Sequence, residues 1–228
     1  MKRKSALVIA AALFLSTSSL AYAENSSHED AMKPQHPEIR GIMQKDHMQM
    51  KDTMKQNRDD FKASMSAARQ EMKAKFQAQH DAFKAKVAEL KDQKKQTTVT
   101  NVTDRFATIN TKQTDRMSQS LIKLSTILDK LSSRAATLKT SGKDTSAVDA
   151  DIATAKKAIT TAQTAVSAQA AKQYVPTVTD DTTLRENVKA TFTQMKNDLE
   201  TTHKTVKAAK EAVLTVAKDI AKLSETTE

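Results

Sequence analysis

The chain has no cysteine and no tryptophan, only two glycines and three prolines, and aromatics that make up 4% of its 228 residues. Lack of cysteine excludes disulfides, thiolate metal sites and thiol nucleophiles. So little glycine and proline cannot supply the many turns of an α/β or all-β fold, and so few aromatics cannot fill a thick core. A phosphate-cradling glycine loop is excluded too, because Gly41 and Gly142 stand alone. There is no HExxH zinc spacing and no Ser-His-Asp constellation on neighbouring turns, and "DTSAVDADI" lacks the glycine and terminal glutamate of an EF-hand loop. These absences predict a non-enzymatic protein with no resident cofactor and no small-molecule substrate.

What is present is Ala, Lys, Gln, Met and Leu, the composition of long helices joined by thin seams. The N-terminus reads as an export signal over 1–23. Lys2-Arg3-Lys4 is a cationic lead, Ala6 to Leu15 a short apolar core, and Ala21-Tyr22-Ala23 a small-x-small cleavage pattern. The apolar stretch falls short of the roughly 20 residues a bilayer span needs. The expected product starts at Glu24 and is exported, to the periplasm, the cell envelope or the exterior. Its surface keeps a basic excess, the chain as a whole carrying +10, which suits an anionic envelope surface or protein partners. Acidic residues are interspersed among the basic ones, as on a solvated helix surface. Nucleic acid is not an expected partner, since export removes the usual target.

Residues 24–37 read as a flexible polar lead with two of the prolines. From 38 to 96 nothing but Gly41 interrupts a helix, which would be about 90 Å long at ~1.5 Å per residue. "QTTVTNVTD" (96–104) is β-branched and predicts a kink or brief interruption, a continuous helix being the alternative. The remainder, 97–228, reads as an antiparallel bundle with helices near 102–140, 145–173 and 183–224. Met117, Leu121, Leu124, Leu128, Leu131, Ala135 and Leu138 form a heptad seam. "TSGKDTS" is a helix–turn–helix signal, Gly142 taking the left-handed position and Asp144 or Thr145 capping the next helix. Val148, Ile152, Ala155, Ile159, Ala162 and Val166 continue the seam. A helix that ends at Pro176 and a capping box at Thr183 and Glu186 lead to a last seam running from Leu184 through Phe192 to Leu223. The fold class is therefore all-α: long antiparallel helices, a coiled-coil or helical bundle with a long N-terminal helix.

That first helix carries an eleven-residue repeat. Ile39, Met50, Phe61, Met72 and Phe83 form one column, and Met43, Met54, Met65, Phe76 and Val87 a second. Eleven residues in three turns keep such a stripe nearly straight. The third column, Asn57, Ala68, Gln79 and Leu90, is mixed, so the stripe is narrow and suits helix packing better than a lipid surface. A helix with its own stripe either folds on the bundle or projects as an arm that needs a partner, and self-association through the coiled-coil seams is the expectation.

Met43, His47, Met50 and Met54 also share one helix face, and thioethers with an imidazole make a ligand set for Cu(I) or Ag(I). His28, Met32 and His36 in the lead could add donors. Against this, three of the four belong to the apolar repeat, whose other members are Ile, Phe and Val, so packing accounts for them without a metal. His80 and His203 have no soft neighbour and are expected to face solvent. Basic helices with adaptable methionines also suit a holdase chaperone.

The run from about 60 to 223, with "RFATINTKQTDRM", the leucine seam, "SGKDTSAVDADIATAKKAI" and "AQAAKQYVP", resembles a group of secreted helical proteins from uncultivated candidate-phylum bacteria. The resemblance implies a bacterial, exported, all-helical protein and carries over no site residue. The expected function is a structural or protein-interaction role at the cell envelope. A Cu(I)/Ag(I)-binding protein and a helical holdase are the alternatives.

Overall fold

The computed structural model describes residues 37–178 and 182–225, and of residues 37–40, 42–44 and 47 only the backbone. The stretch expected to be an export signal and most of the expected polar lead, with His28, Met32 and His36, lie outside the described residues. Four helices and no strand occur among those described: α1 Pro37–Ala88, α2 Gln93–Thr140, α3 Ser146–Ala170 and α4 Leu184–Glu225. α2, α3 and α4 pack on one another, and α1 lies along α2 and α3. The first helix thus folds on the bundle, and its stripe is covered by its own chain rather than left for a second copy.

The first break falls earlier than the sequence suggests. α1 ends at Ala88 rather than at 96, and α2 already starts at Gln93. Asp92 is the N-cap, its carboxylate accepting from the backbone N–H of Lys94 at 2.8 Å and of Lys95 at 3.3 Å. Gln96 reaches back to donate to the carbonyl of Leu90 at 2.7 Å, satisfying the α1–α2 turn from inside the new helix. "QTTVTNVTD" is helical throughout. Its threonines turn their hydroxyls onto the preceding turn, Thr97 onto Gln93, Thr100 onto Gln96 and Thr103 onto Val99. Val99 is buried with Phe83, Val87, Leu90, Val178 and Leu184. Tertiary burial outweighs the weak helix propensity of β-branched residues, which amounts to a few tenths of a kcal/mol each.

The second turn is as expected. Gly142 has φ of 82°, its N–H donates to the Lys139 carbonyl, and the Lys143 N–H donates to that of Leu138, both at 3.1 Å. That pair of bonds is a Schellman ending. Thr145 is the N-cap position of α3 without a side-chain cap bond, while Asp144 accepts from the Ser146 N–H. Those Ser146 bonds hold the Asp144 carboxyl below its ordinary value. α3 stops at Ala170, six residues before Pro176. The Asn110 amide of α2 donates there to the carbonyls of Gln169 and Lys172, at 3.1 and 3.2 Å.

The main core is one continuous stack. Leu121 and Leu128 of α2, Val166 of α3 and Val216 of α4 are fully buried, as are the α3 alanines 155 and 162. α1 adds Met54, Phe61 and Met65 to it. Two smaller clusters close the other end, one around Phe83 and Leu184, the other around Phe106, Tyr174 and Met195. The expected seam residues described here are buried or half-buried except Phe192 on α4, which is 45% exposed; on α2, Ile109 is 37% exposed.

Because α1 meets the rest along a single seam, it should open as a unit. Phe61→Ala removes a ring that is 5% exposed and is expected to cost up to about 3–5 kcal/mol, limited by the docking energy of α1 itself. Amide exchange should accelerate along α1 while α3 amides keep their protection. Equal acceleration in α1 and α3 would show that the four helices open together.

Candidate functional site

The Met/His cluster is divided between the core and the helix end. Met54 is buried in the main core and Met50 is half-buried against it. Met43 and His47 sit on the backbone of α1, their side chains outside the described residues. Met48, off this face, is 62% exposed. Among the described residues no group of three or more His, Cys, Asp or Glu is arranged to hold a metal ion. Met54 could join a coordination sphere only if this part of α1 lifted from the bundle.

The expectation for His80 is overturned. It is buried, stacked on Phe76 with ring centroids 4.9 Å apart, and its Nε2 lies 2.9 Å from Asp104 Oδ1 on α2. His203 is exposed, as expected. His80 is one member of a set. Arg58 pairs with Asp129 and Arg69 with Asp115, so three positions of α1, each eleven residues from the next, meet three carboxylates of α2 in antiparallel order. His47 shares that spacing at the head of the column. The apolar columns conceal this one in the sequence, because Arg and His on a helix read as solvated surface. The signal that reveals it is the same eleven-residue period applied to the cations.

The ladder redistributes charge. Asp104, Asp115 and Asp129 are the only acidic residues of α2, and all three are turned to α1. The opposite edge of α2 therefore carries cations alone. Arg116, Lys123 and Lys130 are exposed there at seven-residue spacing, with no carboxylate within ion-pair distance among the described residues. On α4, Lys196, His203 and Lys210 repeat at the same interval and are likewise exposed.

One buried polar constellation remains, and it ties helix ends together. The Gln169 amide donates to Asn110 Oδ1 at 2.9 Å and to the Tyr174 hydroxyl at 2.7 Å, and that hydroxyl donates to Asp198 of α4 at 2.8 Å. Lys172 Nζ lies 3.1 Å from the other oxygen of Asp198. Burial first, and the Asp198 carboxylate beside it, push the Tyr174 phenol well above its ordinary value, although the Gln169 bond acts the other way. Bonded to α2, α3 and α4, this group fastens the end of α3, with Gln169 Oε1 buried and unpartnered. A carboxyl pair, Asp151 and Asp219, bridges α3 and α4. Burial and the Asp219 carboxylate raise Asp151, whereas Lys222 lowers Asp219.

The chain matches no family model, and neither the curated proteins nor the solved structures contain a match to it.

Two measurements test these assignments. A raised phenol contributes stability that is fully present below its unfolded value near 10 and is lost as pH rises from there through the higher folded value. Apart from Tyr22, Tyr174 is the only tyrosine. Absorbance at the phenolate band should thus stay flat through about pH 10 for residues 24–228 and rise only as helicity is lost. An ordinary titration with helicity intact would place the ring in solvent. Second, Ag(I) added at stoichiometric ratio should leave the Met54 methyl resonance in place while α1 stays docked. A saturable Met54 shift without loss of α1 protection would establish a soft-metal site.

Proposed function

We propose that the chain is an exported, non-enzymatic helical protein of the bacterial envelope that works by presenting a rigid, cationic surface to protein partners. The observation that carries this reading is the segregation of charge. The carboxylates of α2 are committed to α1, and the exposed cations Arg116, Lys123 and Lys130 are left along its outer edge. A merely solvated helix surface intersperses both signs, as α4 does, whereas the outer edge of α2 carries one sign only. No helix among the described residues is long and apolar enough to cross a membrane.

The methionines bear on the alternatives. Met54, Met65, Met117 and Met195 are buried, filling seams rather than offering sulfur to a soft metal or an adaptable apolar surface to unfolded chains. Their placement favours a packing role, and with it the surface-binding reading.

Production of the full chain in a bacterium should yield a polypeptide whose first residue is Glu24, recovered from the periplasmic or envelope fraction. A photo-crosslinking residue at Lys123 should form protein adducts there, and the same residue at Lys73 on α1 should not. An intact Met1 in the cytoplasm, or equal adducts at both positions, would overturn the reading.

A further inference from the structure

Five large apolar side chains stand exposed among the described residues, and four of them, Ile109, Ile127, Phe192 and Leu214, lie on α2 and α4. Two contacts align those helices. The rings of Phe106 and Phe192 are 5.9 Å apart between centroids, and Arg134 Nη2 donates to Ser224 Oγ at 3.1 Å. α2 and α4 therefore run parallel, and Ile127 comes abreast of Leu214. Ser224 falls in the same seven-residue column of α4 as Lys196, His203 and Lys210, so that column borders α2. The result is an α2–α4 face on which apolar and cationic side chains are mixed: Ile109 shares the seven-residue column of Arg116, Lys123 and Lys130, and Lys196, His203 and Lys210 run between Ile127 and Leu214.

We propose that this α2–α4 groove docks an acidic amphipathic helix of another protein, a proposal that rests on the surface-binding reading above and names the partner's chemistry. Two packed helices present a trough like the one that α1 fills on the antiparallel pair α2 and α3, so a helix is the shape that fits. The charge rule is inverted. Where α1 brings Arg58 and Arg69 to carboxylates of α2, a partner in this groove must bring carboxylates to Arg116, Lys123 and Lys210. Ile109 and Ile127 are eighteen residues apart in sequence, which is five full turns, or about 27 Å along the axis. The apolar stripe of a straight helix of about five turns or more spans that distance.

A second copy of this chain does not supply the charge, since α1 and α2 each carry more cations than acids. A lipid surface is a poorer fit, because helices that lie in bilayers bury a broad apolar face. Here the four apolar side chains are only 37–47% exposed and stand between cations.

The probe is a synthetic peptide of about four heptads with Leu and Ile at core positions and Glu flanking them, compared with its Lys-flanked counterpart. Binding to the whole chain is followed by fluorescence anisotropy and by amide NMR shifts. The Glu peptide should bind and shift residues of α2 and α4 around Ile127 and Leu214, and the Lys peptide should not. Combined Arg116→Glu, Lys123→Glu and Lys210→Glu should weaken binding at least about tenfold. Combined Lys73→Glu and Lys84→Glu, exposed on α1, should leave it within about twofold. Ile127→Ser with Leu214→Ser should weaken it several-fold, and unchanged melting temperatures confirm that each variant folds. Equal binding of the two peptides, or equal loss in the groove and control variants, overturns the proposal. If phosphatidylglycerol vesicles, or a second copy seen by sedimentation, occupy these residues in place of the peptide, the helical partner is wrong and the surface reading stands. If no probe occupies them and the Lys123 crosslinks are also absent, both fall.

Discussion

The seating of α1 on α2 organises this molecule. Its eleven-residue period does two jobs at once. The apolar columns bury Met54, Phe61, Met65, Phe83 and Val87, and the polar column beside them sets Arg58, Arg69 and His80 against Asp129, Asp115 and Asp104. Burial is non-directional and supplies most of the driving force, whereas the ion pairs fix register. A slip by one turn would bring each cation opposite a different residue while leaving the apolar area nearly unchanged. Only the Arg58–Asp129 pair is well shielded, with side chains 18% and 15% exposed. The pairs therefore contribute alignment more than strength, an exposed pair adding at most about 1 kcal/mol.

The outer surface follows from that seating. A helix of forty-eight residues with nine cations and three acids would be a basic rod if free. Turning all three acids to one side makes it two-faced instead. Function at the far face and folding at the near face are thus drawn from one pool of charge. That link would not be visible from either face alone.

How far the sequence disclosed this depended on whether local or distant groups decided each feature. The Gly142 turn, the seams of α2, α3 and α4 and the apolar columns of α1 are set by neighbours in sequence and were readable there. The end of α1 was misplaced because β-branched threonines at 97–103 suggest a break, while the burial of Val99 beside Phe83 and Leu184 and the cap at Asp92 are what position it. His80 was read as solvent-facing because nothing near it in sequence reveals Asp104, which lies on another helix. The candidate Met/His cluster was legible as a column and ambiguous as chemistry. Burial of Met54 is a tertiary fact that spacing does not contain. The cationic groove was missed for a related reason: it exists only once the acids of α2 are subtracted from its outer face.

α3 is the shortest helix, yet it touches each of the other three. Ala155, Ala162 and Ala170 are 0–2% exposed along it, so methyl groups set how closely its neighbours approach. Interiors packed to crystal-like density do not absorb an added methylene without displacing something. Enlarging one of these alanines would be felt along several seams together, whereas the same change at an α1 seam position would be felt along one. Tolerance to sequence drift should therefore be lowest in the helix with the least distinctive side chains.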